Sequence, residues 1–140
     1  MAAFNKFNSF VEALAEKVHN LGSDTLKVML TNTAPVATNT VKANLTEISA
    51  GNGYTAGGNT ASVTSSSQTS GTYRLILGDP ATFTASGGSL GPFRYSVLYN
   101  DSATNKELIG WWDYGSSITL ASGESFAVDF DPTTGVLTLA

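Results

Sequence analysis

The chain of 140 residues contains no cysteine, which excludes disulfide cross-links, thiolate metal ligands and cysteine nucleophiles. Charge is also scarce, because Asp, Glu, Lys and Arg together make up only 13% of the residues. The net charge is −4 and no cluster of Lys or Arg occurs, so the electrostatic footprint of a nucleic-acid-binding protein is missing. We therefore expect no nucleic-acid partner.

Long apolar runs and multiple histidines are absent as well. No run reaches the length of a membrane-spanning helix, so no membrane partner is expected. The first twenty residues carry charges throughout, which argues against a secretory signal and favours synthesis in a cytoplasm. The single histidine, His19, is expected near the end of a helix, where an imidazolium interacts favourably with the helix dipole. One histidine cannot build a multi-histidine site, and we predict no metal and no other cofactor.

The apolar content and the length of the chain are typical of one globular domain. Apolar residues make up 41% of the chain, and its length is that of a typical domain. We therefore predict a single β-rich domain over residues 1–140. The many Ser, Thr, Asn and Gly residues indicate neutral, hydroxyl-rich surfaces, which suit packing against other proteins because few charges must be desolvated on contact.

The first segment has the 3–4 spacing of an amphipathic helix. Its apolar stripe consists of Phe4, Phe7, Val11, Leu14, Val18 and Leu21. Gly22 suits the position just after a helix, so the spacing predicts a helix over residues 5–20. Because so short a helix is marginal alone, its stripe must dock on this chain's sheet or on a partner, which makes Phe4 and Phe7 candidate protein contacts.

After this segment the apolar period changes from 3.6 to 2. The clearest alternating segments are residues 24–32, 93–101 and 106–115, and turn residues separate about eight short strands in all. This pattern predicts a mainly β protein, an antiparallel β-sandwich or barrel with one N-terminal amphipathic α-helix on one side.

Residues 50–72 contain no charged residue, and only Tyr54 and Val63 are sizeable apolar groups. Unstructured loops of this length are uncommon within a compact domain. One interpretation is a flexible segment that becomes ordered against a partner. The other is a set of extended arms or edge strands that pair with a neighbour.

Trp111 and Trp112 are adjacent, so their indoles face opposite sides of a strand. We predict that Trp112 lies in the core and that Trp111 makes a contact. Tyr99 and Tyr114 lie on the same predicted pair of strands, and with Trp111 they are candidate protein contacts because large aromatics are enriched in interface hot spots. Three occupants of the Trp111 face stay open: this chain's helix, a neighbouring subunit, or a sugar.

Asp113, Asp129 and Asp131 are the carboxylates closest to a catalytic arrangement. Glycoside hydrolysis needs two carboxylates about 5 to 9 Å apart across a cleft. The same residues also fit a solvent-facing strand side that leads into a turn, and no nucleophile elbow or phosphate loop accompanies them. We predict no enzymatic activity and no catalytic residue, with a hydrolase kept as an alternative.

Two long stretches resemble a family of small structural proteins of tailed bacteriophages. They are FNKFNSFVEALAEKVHNLGSDTLKVMLTNTAPVATNT (residues 4–40) and GPFRYSVLYNDSATNKELIGWWDYGSSITLASGESFAVDFDPTTGVLTLA (residues 91–140). The resemblance implies a non-enzymatic role in the virion, with no catalytic residues to carry over. It favours a capsid decoration (cement) protein, made in the bacterial host cytoplasm and bound to the major capsid protein on the head surface.

The resemblance also implies a homo-oligomer, with a trimer favoured, because small decoration proteins commonly bury strand edges and aromatics between copies. One alternative is a tail or tail-fibre component. The other is a carbohydrate- or receptor-binding β module that uses Trp111, Tyr114 and nearby aromatics as a stacking platform.

Overall fold

The computed structural model describes residues 2–140 and is mainly β, with 43% strand and 7% helix. The elements in chain order are β1 (Asn5–Lys6), α1 (Ser9–Ala15), β2 (Leu26–Thr31), β3 (Asn59–Ala61), β4 (Val63–Thr69), β5 (Thr72–Leu77), β6 (Phe83–Thr84), β7 (Leu90–Asn100), β8 (Leu108–Leu120), β9 (Ser125–Phe126) and β10 (Leu137–Leu139). A single turn of 3₁₀ helix spans Lys42–Asn44. The predicted mainly β class with one N-terminal helix is confirmed.

The strands of the described residues form three antiparallel sheets. Five strands make the largest, in the order β1-β8-β7-β2-β3, three make a second, in the order β10-β5-β4, and β6 pairs with β9. None of the sheets closes on itself, so the barrel alternative is excluded. The long β7–β8 pair is the centre of the largest sheet, because β8 pairs with β1 on one side and β7 pairs with β2 on the other.

The main core lies between the five-stranded sheet and the two smaller sheets. Leu26, Val28 and Leu30 of β2 point to one face, as their alternation predicts, and each is fully buried. They share one apolar cluster with Leu75 of β5 and Phe83 of β6. Burying one face of each sheet against the other is the packing of a β-sandwich.

The second face of the five-stranded sheet is also covered. A smaller apolar cluster forms there from Phe7, Met29, Leu45, Val97, Tyr99 and Leu108, with Trp111 packed at its side. Its cover is supplied by Phe7, between β1 and α1, and by Leu45, just after the 3₁₀ turn. The central strands are therefore buried on both faces.

The helix is much shorter than the predicted residues 5–20. Asn5 and Lys6 are strand residues that pair with β8, and Lys17 adopts a left-handed φ of +67° that cannot continue a helix. The predicted stripe is also broken, since Val11 and Val18 are 48% and 36% exposed. The spacing of Phe4 and Phe7 fits a helix face, but it equally fits two opposite faces of a strand, and pairing with β8 selects the strand.

The uncharged segment 50–72 is ordered by this chain's own strands, so its interpretation as flexible or partner-ordered is wrong. It contains β3, which pairs with β2, and β4, which pairs with β5. Tyr54 and Ala61 fix it to the main core, where they are 3% and 1% exposed. The alternative interpretation as edge strands matches the structure, because β4 is the outer strand of its sheet.

Candidate functional site

The two adjacent tryptophans lie where the N-terminus meets the edge of the largest sheet. Asn5 is opposite Trp111, and Lys6 is opposite Gly110. The Asn5 side-chain amide also donates to the Trp111 carbonyl at 3.3 Å. Gly110 is needed here because a Cβ atom would lie 2.8 Å from the Asn5 backbone carbonyl oxygen and 2.1 Å from the Phe4 ring. The N-terminus thus fits closely against β8.

The side chains on either side of β1 reach opposite faces of β8. The Phe4 ring centroid lies 5.4 Å from that of Trp112, and the Phe7 ring centroid lies 4.5 Å from that of Trp111. We call residues 4–7 the N-terminal clip. Each indole is covered by one phenylalanine of the clip, so the occupant of the Trp111 face is this chain itself, through a strand and a loop rather than through the helix.

Trp112 is a core residue, as predicted, with only 3% of its surface exposed and its ring 5.4 Å from that of Phe130. Strict alternation would place Leu108 on the same face. A β-bulge intervenes, because Leu98 is opposite Gly110 while Tyr99 is opposite Leu108. The bulge moves Leu108 to the Trp111 face.

Two of the five candidate protein contacts are wrong, because they are buried within this chain. Phe7 and Tyr99 are 0% and 1% exposed. The Tyr99 hydroxyl donates to the Gly57 carbonyl at 2.7 Å, and burial raises the pKa of Tyr99 above its ordinary value. Neither side chain is open to a partner.

Trp111, Tyr114 and Phe4 keep part of their surface exposed and stay candidates for contact. Tyr114 is the most constrained of the three. Its hydroxyl lies 2.8 Å from the Ser96 Oγ atom, its ring stands edge-on to Phe126 at 4.9 Å, and burial raises its pKa.

Two of the three carboxylates of the hydrolase alternative, those of Asp113 and Asp131, are held by partners in the chain, whereas Asp129 is exposed. Asp113 accepts two hydrogen bonds from the Arg94 guanidinium at 2.7 and 3.0 Å, and these lower the pKa of Asp113. Asp131 accepts from the backbone N–H groups of Thr134 and Thr133, which lower its pKa and fix a turn. Within residues 2–140, no group of three or more His, Cys, Asp or Glu side chains could hold a metal ion.

A partly buried polar network that the sequence did not reveal fixes the glycine-rich loop before β3. The Glu47 carboxylate accepts from the Tyr54 hydroxyl at 2.6 Å and from the Gly57 N–H at 2.5 Å, and it pairs with Lys42 at 2.8 Å. Burial, followed by this hydrogen bond to a carboxylate, raises the pKa of Tyr54. One signal was available, because Glu47 is the only acidic residue between Asp24 and Asp79.

The exposed edge of β4 is the surface best suited to a protein partner. No strand of residues 2–140 pairs with its outer side, and its seven residues include no charge and no proline. Its register with β5 is irregular only between Val63 and Ser65, and it is regular from Ser65 to Thr69. We call Ser65–Thr69 the β4 edge.

The other sheet edges are protected. On β8, the four residues 114–117 are opposite the single residue Arg94 of β7, which distorts that edge. The edge strands β1, β3, β6, β9 and β10 have only two or three residues each. A distorted or very short edge offers few backbone groups to another chain, which leaves the β4 edge as the regular one.

No family model, curated protein or solved structure matches this chain.

We therefore infer the function from the geometry of the described residues together with the sequence resemblance. In residues 2–140, no helix is long and apolar enough to cross a membrane. The structure combines a sheet that is covered on both faces, two carboxylates (Asp113 and Asp131) that are held by hydrogen bonds, and one neutral, regular strand edge. Chemically, this arrangement is equipped to form backbone hydrogen bonds with another polypeptide.

Proposed function

We propose that this protein is a non-enzymatic structural component of a tailed-bacteriophage virion, and that it decorates the capsid by binding the major capsid protein on the head surface. The observation that carries the proposal is the neutral, unpaired β4 edge. The resemblance of residues 4–40 and 91–140 to phage structural proteins supplies the setting.

The β4 edge favours assembly because an unpaired strand offers a row of backbone donors and acceptors to another chain. Soluble proteins commonly prevent such pairing with lysine, proline or a bulge along the edge. The β4 edge has none of these between Ser65 and Thr69. Its serine and threonine side chains add no charge to be desolvated when a partner strand arrives.

The rest of the molecule supports a rigid, non-catalytic role. Both faces of the five-stranded sheet are packed, and the N-terminal clip and the loop ending at Leu45 hold its outer layers. Close-packed protein interiors have low compressibility, so a sheet that is packed on both faces suits a protein that holds capsid subunits together. The predicted homo-oligomer, with a trimer favoured, is part of this proposal.

The proposal is tested by counting copies in purified particles of the phage. We expect hundreds of copies per virion and the same number in heads that lack tails. Absence from tailless heads would overturn the decoration role. A count of a few to a few dozen, found only with tails, would instead establish the tail or tail-fibre alternative.

A lysine introduced into the β4 edge is expected to weaken head binding. Thr69 is exposed and lies opposite the neutral Thr72, so Thr69→Lys should fold normally, while the new charge must be desolvated when a partner strand pairs. We expect at least about a tenfold loss of affinity for heads that lack the protein, or about 1.4 kcal/mol. Quantitative sedimentation with heads measures this loss.

Ser86→Lys is the matched control, because Ser86 is an exposed loop serine outside the strands. This variant has the same net charge as the β4-edge lysine variant, and its affinity for heads that lack the protein should equal that of the wild type. If both variants lose affinity equally, the effect comes from net charge and the β4 edge is not the contact.

A further inference from the structure

A buried polar cluster joins the turn after α1 to the end of the β7–β8 pair. His19 and Asn100 are 4% and 0% exposed. The Asn100 side-chain nitrogen lies 3.0 Å from His19 Nδ1 and donates to the Asp24 carboxylate at 2.6 Å. The Asn100 side-chain oxygen accepts from the backbone N–H groups of Ser102 at 2.9 Å and Ala103 at 3.2 Å. Every polar atom of the Asn100 side chain is engaged.

This network assigns the proton of the neutral His19 ring. The Asn100 amide cannot rotate, because two backbone donors require its oxygen where it stands. Its nitrogen therefore faces His19 Nδ1, which must act as the acceptor. The ring proton is then on Nε2, and this buried N–H has no partner in the described chain.

The complementary acceptor belongs to Glu107. Asn100 N–H donates to the Glu107 carbonyl at 3.0 Å, which places the two residues opposite each other, one pair beyond Tyr99 and Leu108. Opposed residues of an antiparallel pair share a face, so the Glu107 side chain lies on the same side as the Asn100 side chain that reaches His19. The Oε2 atom of Glu107 is buried and has no donor among residues 2–140.

We propose that one internal water molecule occupies a site between His19 and Glu107, accepting from Nε2–H and donating to Oε2. Two buried polar atoms of opposite hydrogen-bonding character, each without a protein partner, are the signature of such a water site. The site connects the turn that follows α1 to the loop between β7 and β8, so it is a structural link between two segments far apart in sequence. It does not depend on the proposed function.

The charged groups that face His19 are Asp24, from its own turn, and Glu107, from the β7–β8 loop. Burial lowers the pKa of His19 below its ordinary value, and the two negative charges oppose this effect, that of Glu107 more strongly. The predicted role of His19 as an imidazolium at a helix end is therefore wrong. The helix ends at Ala15, and the buried ring favours the neutral form.

Nitrogen-15 NMR of the wild-type protein tests the site directly. We expect His19 to be the Nε2–H tautomer at neutral pH, with its Nε2 proton observable and showing a cross-peak to a long-lived water. An Nδ1–H tautomer overturns the proposal. An Nε2 proton without any water cross-peak overturns it as well, since it indicates a direct contact with Glu107 or an empty site.

Glu107→Gln tests whether the two groups face each other. Removing the negative charge removes a stabilisation of the imidazolium, so the NMR titration midpoint of His19 should move to lower pH. Glu16→Gln, which alters an exposed carboxylate near the end of α1, should leave the midpoint unchanged. Equal midpoints in the wild type and Glu107→Gln would overturn the pairing, whatever the outcome of the virion experiments.

Discussion

Gly58→Ala is expected to destabilise the protein by about 4 kcal/mol or more, which is in the exceptional range for a single substitution. Gly58 precedes β3 and has a φ of +76°. A Cβ atom there would lie 1.9 Å from the Val28 carbonyl oxygen and 2.7 Å from its carbon. Because backbone rather than a flexible side chain blocks the methyl group, β2 and β3 must separate to admit it.

Gly71→Ala provides the matched control for backbone conformation alone. Gly71 lies in the turn between β4 and β5 with a φ of +85°, but nothing lies within 4 Å of a Cβ atom placed there. We expect a loss of about 1 to 2 kcal/mol from the left-handed conformation. Urea unfolding of both variants measures the difference, and equal losses would contradict the close approach of the chain at Gly58.

The Gly58 contact also explains why segment 50–72 is ordered. Its glycines allow the chain to lie directly on β2, and the Glu47 and Tyr99 side chains then hold the loop through Gly57. The composition of the segment shows only that it has no charged residue and few large apolar residues. Its order depends on long-range partners, Val28, Glu47 and Tyr99, which no local pattern connects to it.

The alternating strands were predictable from local sequence because a period of two has one structural meaning in a half-buried sheet. Leu26, Val28 and Leu30 occupy the core as predicted. Met29, on the other face, is also fully buried, which alternation alone cannot foresee. Leu45 and Phe7 cover the Met29 side chain. Because both lie in loops, no periodic pattern in the sequence predicts that they pack there.

The proposed contact surface was predictable in part. The absence of charge in residues 50–72 pointed to a strand that could pair with a neighbour, and the β4 edge lies within that range. The size of Tyr99 and the place of Phe7 on the predicted helical stripe both predict a contact, but neither signal distinguishes an interface aromatic from a buried one. The tertiary partners of each ring decide this, and they include Gly57 and Trp111.

Trp112→Ala is expected to reduce the free energy of unfolding by about 4 kcal/mol, within the range for truncating a buried aromatic residue. Trp112 is 3% exposed and packs between the Phe4 and Phe130 rings. Trp111→Ala should cost less, about 2 kcal/mol, because that indole is half-buried and only its inner side packs on Phe7. Chemical denaturation at constant pH measures both values.

A double-mutant cycle then tests the N-terminal clip itself. If Phe4 stabilises the protein mainly through Trp112, Phe4→Ala should cost less in the Trp112→Ala background, with a coupling of about 0.5 to 1.5 kcal/mol. Phe4 and Trp111 lie on opposite faces of β8, so that pair should show no coupling. Coupling of Phe4 to Trp111 instead would mean that β1 is paired one residue out of register, since a one-residue slip exchanges the faces of both phenylalanines. The coupling of Phe4 to each of the two adjacent tryptophans therefore identifies the register in which β1 pairs with β8.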